Sequence, residues 1–471
     1  MKMKIKAWLA AAVCAVGAIV AQAQIAGPWH GELSVGGQGL PVVFNFEQDG
    51  DSITATLDSP MQGAKGIPAE ASLSGDTLRV DIQVVGADFR GVVAEGRIEG
   101  KFSQGGMTLD LALVPGEYIP PRPQTPKPPY PYQTREVSIV NPMDSTVLAG
   151  TLTLPVQYNM PAFKEFPLVV FVSGSGAQNR DEEIMGHKPF AVLADRLAKS
   201  GIASLRYDDR TFGRPDDDSE TDSSTTATFA ADAKAAIDWA RANFDKAGRV
   251  GVIGHSEGGT IAYMLAAEGS ADFIVSLAGP SLRGDSVLML QNEALLRGTI
   301  SEESLDKYLK GMRVVIQFIL DSGHLQGCDK QQAERALMEN IGKIYNMDGD
   351  EDFDIAEEDE ALATNLLYAA ALRTPWLDYM LAYDPAEAIG RIRVPVMAVN
   401  GELDRQVIAE PNITALECLL PSDTPRITII YPGLNHMLQH AQTGMPAEYG
   451  TIEETISEEV VRDIISWINS L

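Results

Sequence analysis

Cysteine is almost absent: the chain has three among 471 residues, at positions 14, 328 and 418. So few exclude a disulfide framework and leave the pairing of Cys328 with Cys418 open. Positive charge is also scarce. Against 65 acidic residues stand 37 lysines and arginines, a formal net charge of −28. A chain of that sign repels a phosphate backbone, which argues against a nucleic-acid partner, and it disfavours anionic membranes and strongly anionic substrates. Apolar runs of membrane length are missing throughout. The one N-terminal run, 7–20, follows Lys2, Lys4 and Lys6 and precedes Ala21-Gln22-Ala23. It is too short for a stable span and reads as the core of a signal peptide, residues 1–23, so the mature chain is expected to be secreted or periplasmic. Removing it takes three lysines and moves the formal charge from −28 to −31.

What remains divides into three stretches. Residues 24–115 alternate in short runs, at 40–46, 52–57, 78–85, 91–98 and 107–114, separated by turns such as Asp49-Gly50-Asp51 and Ser74-Gly75-Asp76. This pattern predicts a small antiparallel barrel or sandwich, an accessory or docking module without any cluster of metal-binding or catalytic residue types. Residues 116–133 carry the proline tract that begins Pro120-Pro121-Arg122-Pro123, expected to form an extended, semi-rigid linker. From 134 to 471, a hairpin (135–139 with 148–154) precedes strands that alternate with helices, which predicts a doubly wound, mostly parallel α/β sheet. The alternation stops at about 283–388. There, helical patterns at 301–319, 330–344 and 358–372 suggest an inserted cap that excludes water from a site beneath it.

The chemistry is concentrated at Ser256. It occupies the apex of Gly254-His255-Ser256-Glu257-Gly258, between the apolar run Val250-Gly251-Val252-Ile253 and a helical pattern. From composition alone, the bare G-x-S-x-G pattern turns up in roughly one chain in five of this length. The strand-turn-helix context makes it specific, because a nucleophilic hydroxyl must project from a strained turn and small flanking residues let the helix pass close to the strand. Such a turn predicts an acid and then a histidine downstream. Strand 394–400 ends in Gly401-Glu402-Leu403-Asp404, and strand 427–431 ends in Pro432-Gly433-Leu434-Asn435-His436. His436 is the expected general base and Asp404 its orienting acid. Glu402 competes with Asp404, which is preferred as lying further along the turn. His440 competes with His436 and is expected in a helix beginning after it. For the oxyanion, the N–H of Glu257 is one expected donor. The other comes from the loop Ser173-Gly174-Ser175-Gly176 after strand 168–172, with Ser175 as donor and Gly176 as the alternative. His255 should face away from Ser256 and serve packing or a hydrogen bond behind the turn. His30, His187 and His324 read as surface or satisfied core residues. The acidic run Asp348-Gly349-Asp350-Glu351-Asp352-Phe353-Asp354 lacks the glycine a calcium loop requires, so no metal and no cofactor are expected.

Four stretches then resemble an α/β-hydrolase family of secreted bacterial esterases, the EstD type, whose relatives include hydrolases described as serine aminopeptidase-like. They are Ser173 to Glu182, Leu205-Arg206-Tyr207-Asp208-Asp209-Arg210, Gly254 to Gly259, and Asn435-His436; the cap segments Thr374-Pro375-Trp376 and Tyr383-Asp384-Pro385 also match. The resemblance covers about 135–471 and implies an α/β-hydrolase fold with Ser256, Asp404 and His436 as the triad. It implies a carboxylesterase acting on short-acyl esters, with acylated glycan or plant material as the substrate class that fits. A serine exopeptidase is the alternative; a thioesterase or a non-catalytic binding protein is less favoured. Arg180, Asp181, Asp209 and Arg210 fall near the strand ends, as substrate contacts or, more readily, as an ion-pair network.

Overall fold

A computed structural model describes residues 25–35, 38–49, 52–62, 64–213, 223–322, 327–345, 357–371 and 373–471. The signal segment, His324 and the acidic run at 348–354 lie outside the described residues. The chain forms two compact units that meet in sequence between Ile119 and Pro120.

The first unit is a closed antiparallel barrel of β1 (Gly27–Val35), β2 (Gln38–Asp49), β3 (Ser52–Ser59), β4 (Ala64–Ser74), β5 (Thr77–Ile82), β6 (Ala87–Ala94), β7 (Arg97–Gln104) and β8 (Met107–Pro115). Each strand pairs with the next, and β1 closes on β8 through Trp29↔Pro115 and His30↔Val114. Alternate residues point inward, so Phe44, Leu78, Val80, Phe89, Ile98 and Leu113 fill the interior. The run expected as one strand at 91–98 is two. It breaks at Glu95 (φ 47°) and Gly96 (φ 79°), the two-residue turn a tight hairpin demands. Strand β4 was not anticipated, because its inward residues Ile67, Ala69, Ala71 and Leu73 are small or only partly buried and Pro68 interrupts them.

The proline tract expected to stand as a spacer is instead tied to the second unit. Arg122 donates to the main-chain oxygens of Met185, Gly450 and Ile452, and Gln124 both donates to Ile456 O and accepts from Thr455 N. Tyr132 donates to Asp195.

In the second unit, β9 (Thr134–Val140), β10 (Val147–Thr153), β11 (Phe166–Val172), β12 (Ala203–Tyr207), β13 (Ala247–His255), β14 (Ile274–Leu277), β15 (Val396–Gly401) and β16 (Arg426–Tyr431) make one mixed sheet, ordered β16-β15-β14-β13-β11-β12-β10-β9. The six strands from β16 to β12 run parallel, and the β9–β10 hairpin is antiparallel at the edge. Strand alternation feeds two cores. Leu168, Val170 and Val172 face α2 (Thr226–Asn243) and α3 (Glu257–Ala267), while Val169 and Phe171 face α1 (Pro189–Lys199) and the C-terminal helix (Glu458–Ser470). Each such fully buried side chain contributes about 1.5–3 kcal/mol relative to an exposed one.

Between β14 and β15 lies the helical insertion: α4 (Gly284–Leu296), α5 (Glu302–Ser322), α6 (Gly327–Tyr345), α7 (Glu357–Ala371) and α8 (Pro375–Ala382). It has its own core, including Val315, Ile319, Ile341 and Leu366. Helices α4 and α8 escaped the sequence reading because few of their side chains are fully buried; several border a cavity instead. Short α9 (Ala386–Arg391) and then α10 (Ala409–Leu419), between β15 and β16, complete this part, and the C-terminal helix is α11. No helix starts directly after His436 or contains His440, contrary to expectation. Leu438 adopts φ 58° and Leu434 bridges to His440, so the segment folds into a tight loop. No described helix is long and apolar enough to cross a membrane.

Candidate active site

Ser256 stands between the last residue of β13 and the first of α3, at φ 51° and ψ −119°. A non-glycine residue held there costs about 1–3 kcal/mol, which the surrounding packing must supply. The flanking glycines explain how. A Cβ on Gly258 would lie 2.1 Å from Val172 O, and one on Gly254 would lie 1.9 Å from Gly258 O. The strand and the helix therefore approach so closely that any side chain at either glycine would push them apart. The Ser256 side chain makes no capping bond to α3, and Ser256 lines a cavity of about 470 Å³.

His436 lines the same cavity. Its Nδ1 is 2.8 Å from Asp404 Oδ2, and both residues are buried. Asp404 Oδ1 accepts from the main-chain N–H of Gln406 (2.8 Å) and Val407 (2.9 Å), so the carboxylate is held at both oxygens. The loop carrying His436 is stapled by Asn435, whose main chain and side chain bond Gln439. The two competitors are elsewhere. Glu402 accepts from Gly433 N, and His440 is exposed with Nδ1 on Glu454. His187 is a satisfied core histidine between Thr455 and Tyr449, and the His30 ring packs edge-on to Tyr118.

The N–H groups of Glu257 and Ser175 have no acceptor among the described residues. That of Glu257 belongs to the first turn of α3, where amides lack intrahelical partners and the helix dipole favours negative charge. Ser175 lines the cavity with Ser256; Gly176 (φ 99°) borders a small void behind the loop instead.

That loop is held by Asp209. Its carboxyl accepts from Ser173 Oγ (2.9 Å) and Gln178 N (3.0 Å). Although part of Asp209 stays accessible, its carboxyl lies among protein atoms, and desolvation outweighs these bonds to push its pKa up to about 8. The sign follows: the folded chain binds this proton from the ordinary carboxylate range up to about pH 8 and the unfolded chain does not, so the associated stability is present at low pH and lost as pH rises through 8. Asp209→Asn is expected to flatten the fall in Tm between pH 6 and 9, measured by thermal melts across that range. The other candidates form ion pairs away from the cavity. Arg180 grips Asp208 with two nitrogens, Arg210 does the same to Asp232, and Arg206 pairs with Asp181.

Side chains not assigned roles from sequence also join the site. Glu257 Oε1 accepts from Thr226 Oγ1 (2.6 Å) and from Trp376 Nε1 (2.9 Å), which ties the insertion to the residue after Ser256. Glu182, buried at φ 51°, accepts from Gly174 N (2.7 Å) and faces His255. Glu182 and Trp376 both lie in the stretches that carry the family resemblance, but nothing in their spacing shows which partner they meet. The insertion supplies Leu282, Val287, Leu288, Leu377 and Met380 as apolar walls. No group of three or more His, Cys, Asp or Glu side chains fit to hold a metal is present among the described residues.

The family of X-Pro dipeptidyl-peptidases, S15, matches residues 144–433. The chain belongs to this family. The match to the S15 family includes Ser256 and Asp404 and ends just short of His436. Esterase EstD of Thermotoga maritima is 24% identical over 403 residues, covering 84% of this chain and 81% of that protein. This bears out the EstD-type resemblance read from the motifs, and the chain is a hydrolase of the S15 family. Among solved structures, Est1E from Butyrivibrio proteoclasticus is similar at 15% identity and TM-score 0.39, covering 71% of this chain and 98% of that one. Proline iminopeptidase from Mycobacterium smegmatis is similar at 15% identity and TM-score 0.40, again covering 71% and 98%.

Proposed function

We propose that this S15 hydrolase, with an α/β-hydrolase fold and a helical cap, is a carboxylesterase that cleaves short-acyl esters through an acyl-enzyme on Ser256. The observation that carries the reading is the buried Asp404–His436 pair, at 2.8 Å, on the same cavity as a serine in a strained strand-to-helix turn. His436 Nε2 takes the Ser256 proton as Oγ attacks the ester carbonyl, and Asp404 stabilises the imidazolium. The oxyanion is held by the N–H groups of Glu257 and Ser175. His436 returns its proton to the departing alcohol oxygen. Water then attacks the acyl-enzyme by the same route and releases the acid. Cap and apolar walls keep bulk water from the oxyanion, which strengthens each of these interactions.

The name of the curated relative, Esterase EstD, favours esters. The family's description, X-Pro dipeptidyl-peptidase, supports an exopeptidase as the second reading. The test sets p-nitrophenyl acetate, butyrate and octanoate beside aminoacyl and Xaa-Pro p-nitroanilides, with Ser256→Ala as control. Ester turnover that falls with acyl length and is lost in the variant supports the proposal; dominant anilide cleavage moves the assignment to a peptidase. Export of the mature chain is part of the same reading, carried by Lys2, Lys4, Lys6 and the apolar run that follows. N-terminal sequencing of protein from the periplasm or medium tests it, with Gln24 as the expected first residue.

A further inference from the structure

His255 and Glu182 take no part in the proton transfers above, yet they border the same cavity as Ser256 and His436. Both are buried. His255 Nδ1 is 2.9 Å from Glu182 Oε1, and its Nε2 is 3.1 Å from the main-chain oxygen of His436. A carbonyl oxygen only accepts, so Nε2 carries a hydrogen. A neutral ring would then turn the bare lone pair of Nδ1 toward a carboxylate. The imidazolium satisfies both contacts and leaves Glu182 as its anion.

The pair is also a junction. Glu182 Oε1 accepts from Gly174 N at 2.7 Å, so one carboxylate binds the loop after β11 and the residue before Ser256. Through His255 it reaches the main chain of His436, whose ring lies 4.8 Å from that of His255, centroid to centroid. Three loops that must keep a fixed mutual geometry are thus joined by two side chains. The charged and titratable groups around the ring are Glu182 from the loop after β11, Asp404 from the loop after β15 and His436 from the loop after β16. Glu257, next along α3, is engaged with Thr226 and Trp376. Burial disfavours charge on His255, but the Glu182 carboxylate, the bond to His436 O and the Asp404 carboxylate together hold its pKa above the ordinary histidine value. Glu182 itself takes a left-handed backbone conformation, a local cost that fixes its carboxylate between Gly174 N and His255.

We infer that His255 is a positioning residue: an imidazolium held by Glu182 that carries the main chain of His436 and sets its approach to Ser256. The inference rests on the proposed roles of Ser256 and His436.

Two measurements test it. The first needs no activity: ¹⁵N spectra of the full-length mature protein with labelled histidine, the His255 ring identified by its loss in His255→Gln. Two protonated-type ring nitrogens at pH 7 are expected; one bare nitrogen, meaning a neutral ring or a proton resting on Glu182, overturns the inference. The second is a double-mutant cycle of His255→Gln and Glu182→Gln on p-nitrophenyl butyrate. Each single change is expected to lower kcat at least tenfold with KM within about threefold, and the double to be no worse than the weaker single, because the pair acts as a unit. A lowered Tm with kcat per folded molecule unchanged would reduce the pair to scaffolding and overturn the inference. If wild-type turnover survives Ser256→Ala, the proposed function fails instead, and the ring spectrum still decides the charge state of the pair.

Discussion

Ser256→Ala is expected to lower kcat for ester hydrolysis by about 10⁴-fold or more, roughly 5 kcal/mol or more of transition-state stabilisation. The size follows from the removal of the covalent step itself. Without Oγ, His436 has no proton to take at the position the turn defines, and only the oxyanion donors and the apolar cavity remain to act on bound substrate. The fold should survive. Ser256 makes its main-chain bonds independently of its side chain: its N–H donates to Leu277 O and its carbonyl accepts from Gly259 N. Alanine at φ 51° meets a steric cost similar to that of serine. Covalent labelling by a fluorophosphonate should therefore vanish while Tm stays within a few degrees. An unfolded variant would leave the loss of activity uninformative, so Tm and turnover are measured on the same sample. Retained labelling would show that another residue is the nucleophile.

Asp404→Asn should be nearly as severe, with kcat down about 10³–10⁴-fold. The reason lies in the hydrogen-bond directions. Asp404 Oδ1 accepts two main-chain N–H groups, so an asparagine keeps its oxygen there and turns its amide nitrogen toward His436. That nitrogen can only donate. His436 must then present a bare Nδ1 and carry its proton on Nε2, the tautomer that cannot receive the Ser256 proton. Glu402→Gln, only two residues away in sequence but with its carboxylate on Gly433 N, is expected to stay within about twofold. The pair of variants is read by kcat and KM on p-nitrophenyl butyrate. A severe loss from Glu402→Gln with Asp404→Asn staying within about twofold would place the acid at Glu402 and overturn the geometric choice.

The contrast between Glu402 and Asp404 shows where sequence reasoning stops. Both lie in one turn at the end of β15, and their chemistry is the same. The register of that turn, set when Asp404 N bonds Gly401 O, buries one carboxylate against His436 and leaves the other on Gly433 N. His440 is a similar case. Helical continuation after His436 is reasonable from composition, but the bonds between Asn435 and Gln439 close a loop that local propensity does not encode. The proline tract fails in another way. Its extended conformation follows from its own residues; its attachment depends on carbonyls at Met185, Gly450 and Ile452, which are tens to hundreds of residues distant.

By itself the sequence determined what depends on neighbours along the chain. The strand-turn-helix around Ser256, the doubly wound order of strands and helices and the helical interruption before β15 are all periodicities and turn chemistries local to a few residues. So was much of the barrel's alternation, though not β1, β4 or the hairpin at Glu95-Gly96. Only the tertiary structure decided the pairings that close the site. It set Glu182 behind His255, Trp376 on Glu257, and Asp209 beneath the loop of Ser175. These contacts join elements brought together by burial of a shared core. A buried polar group must find its partner wherever that packing places one. No spacing in the sequence records which partner it will be.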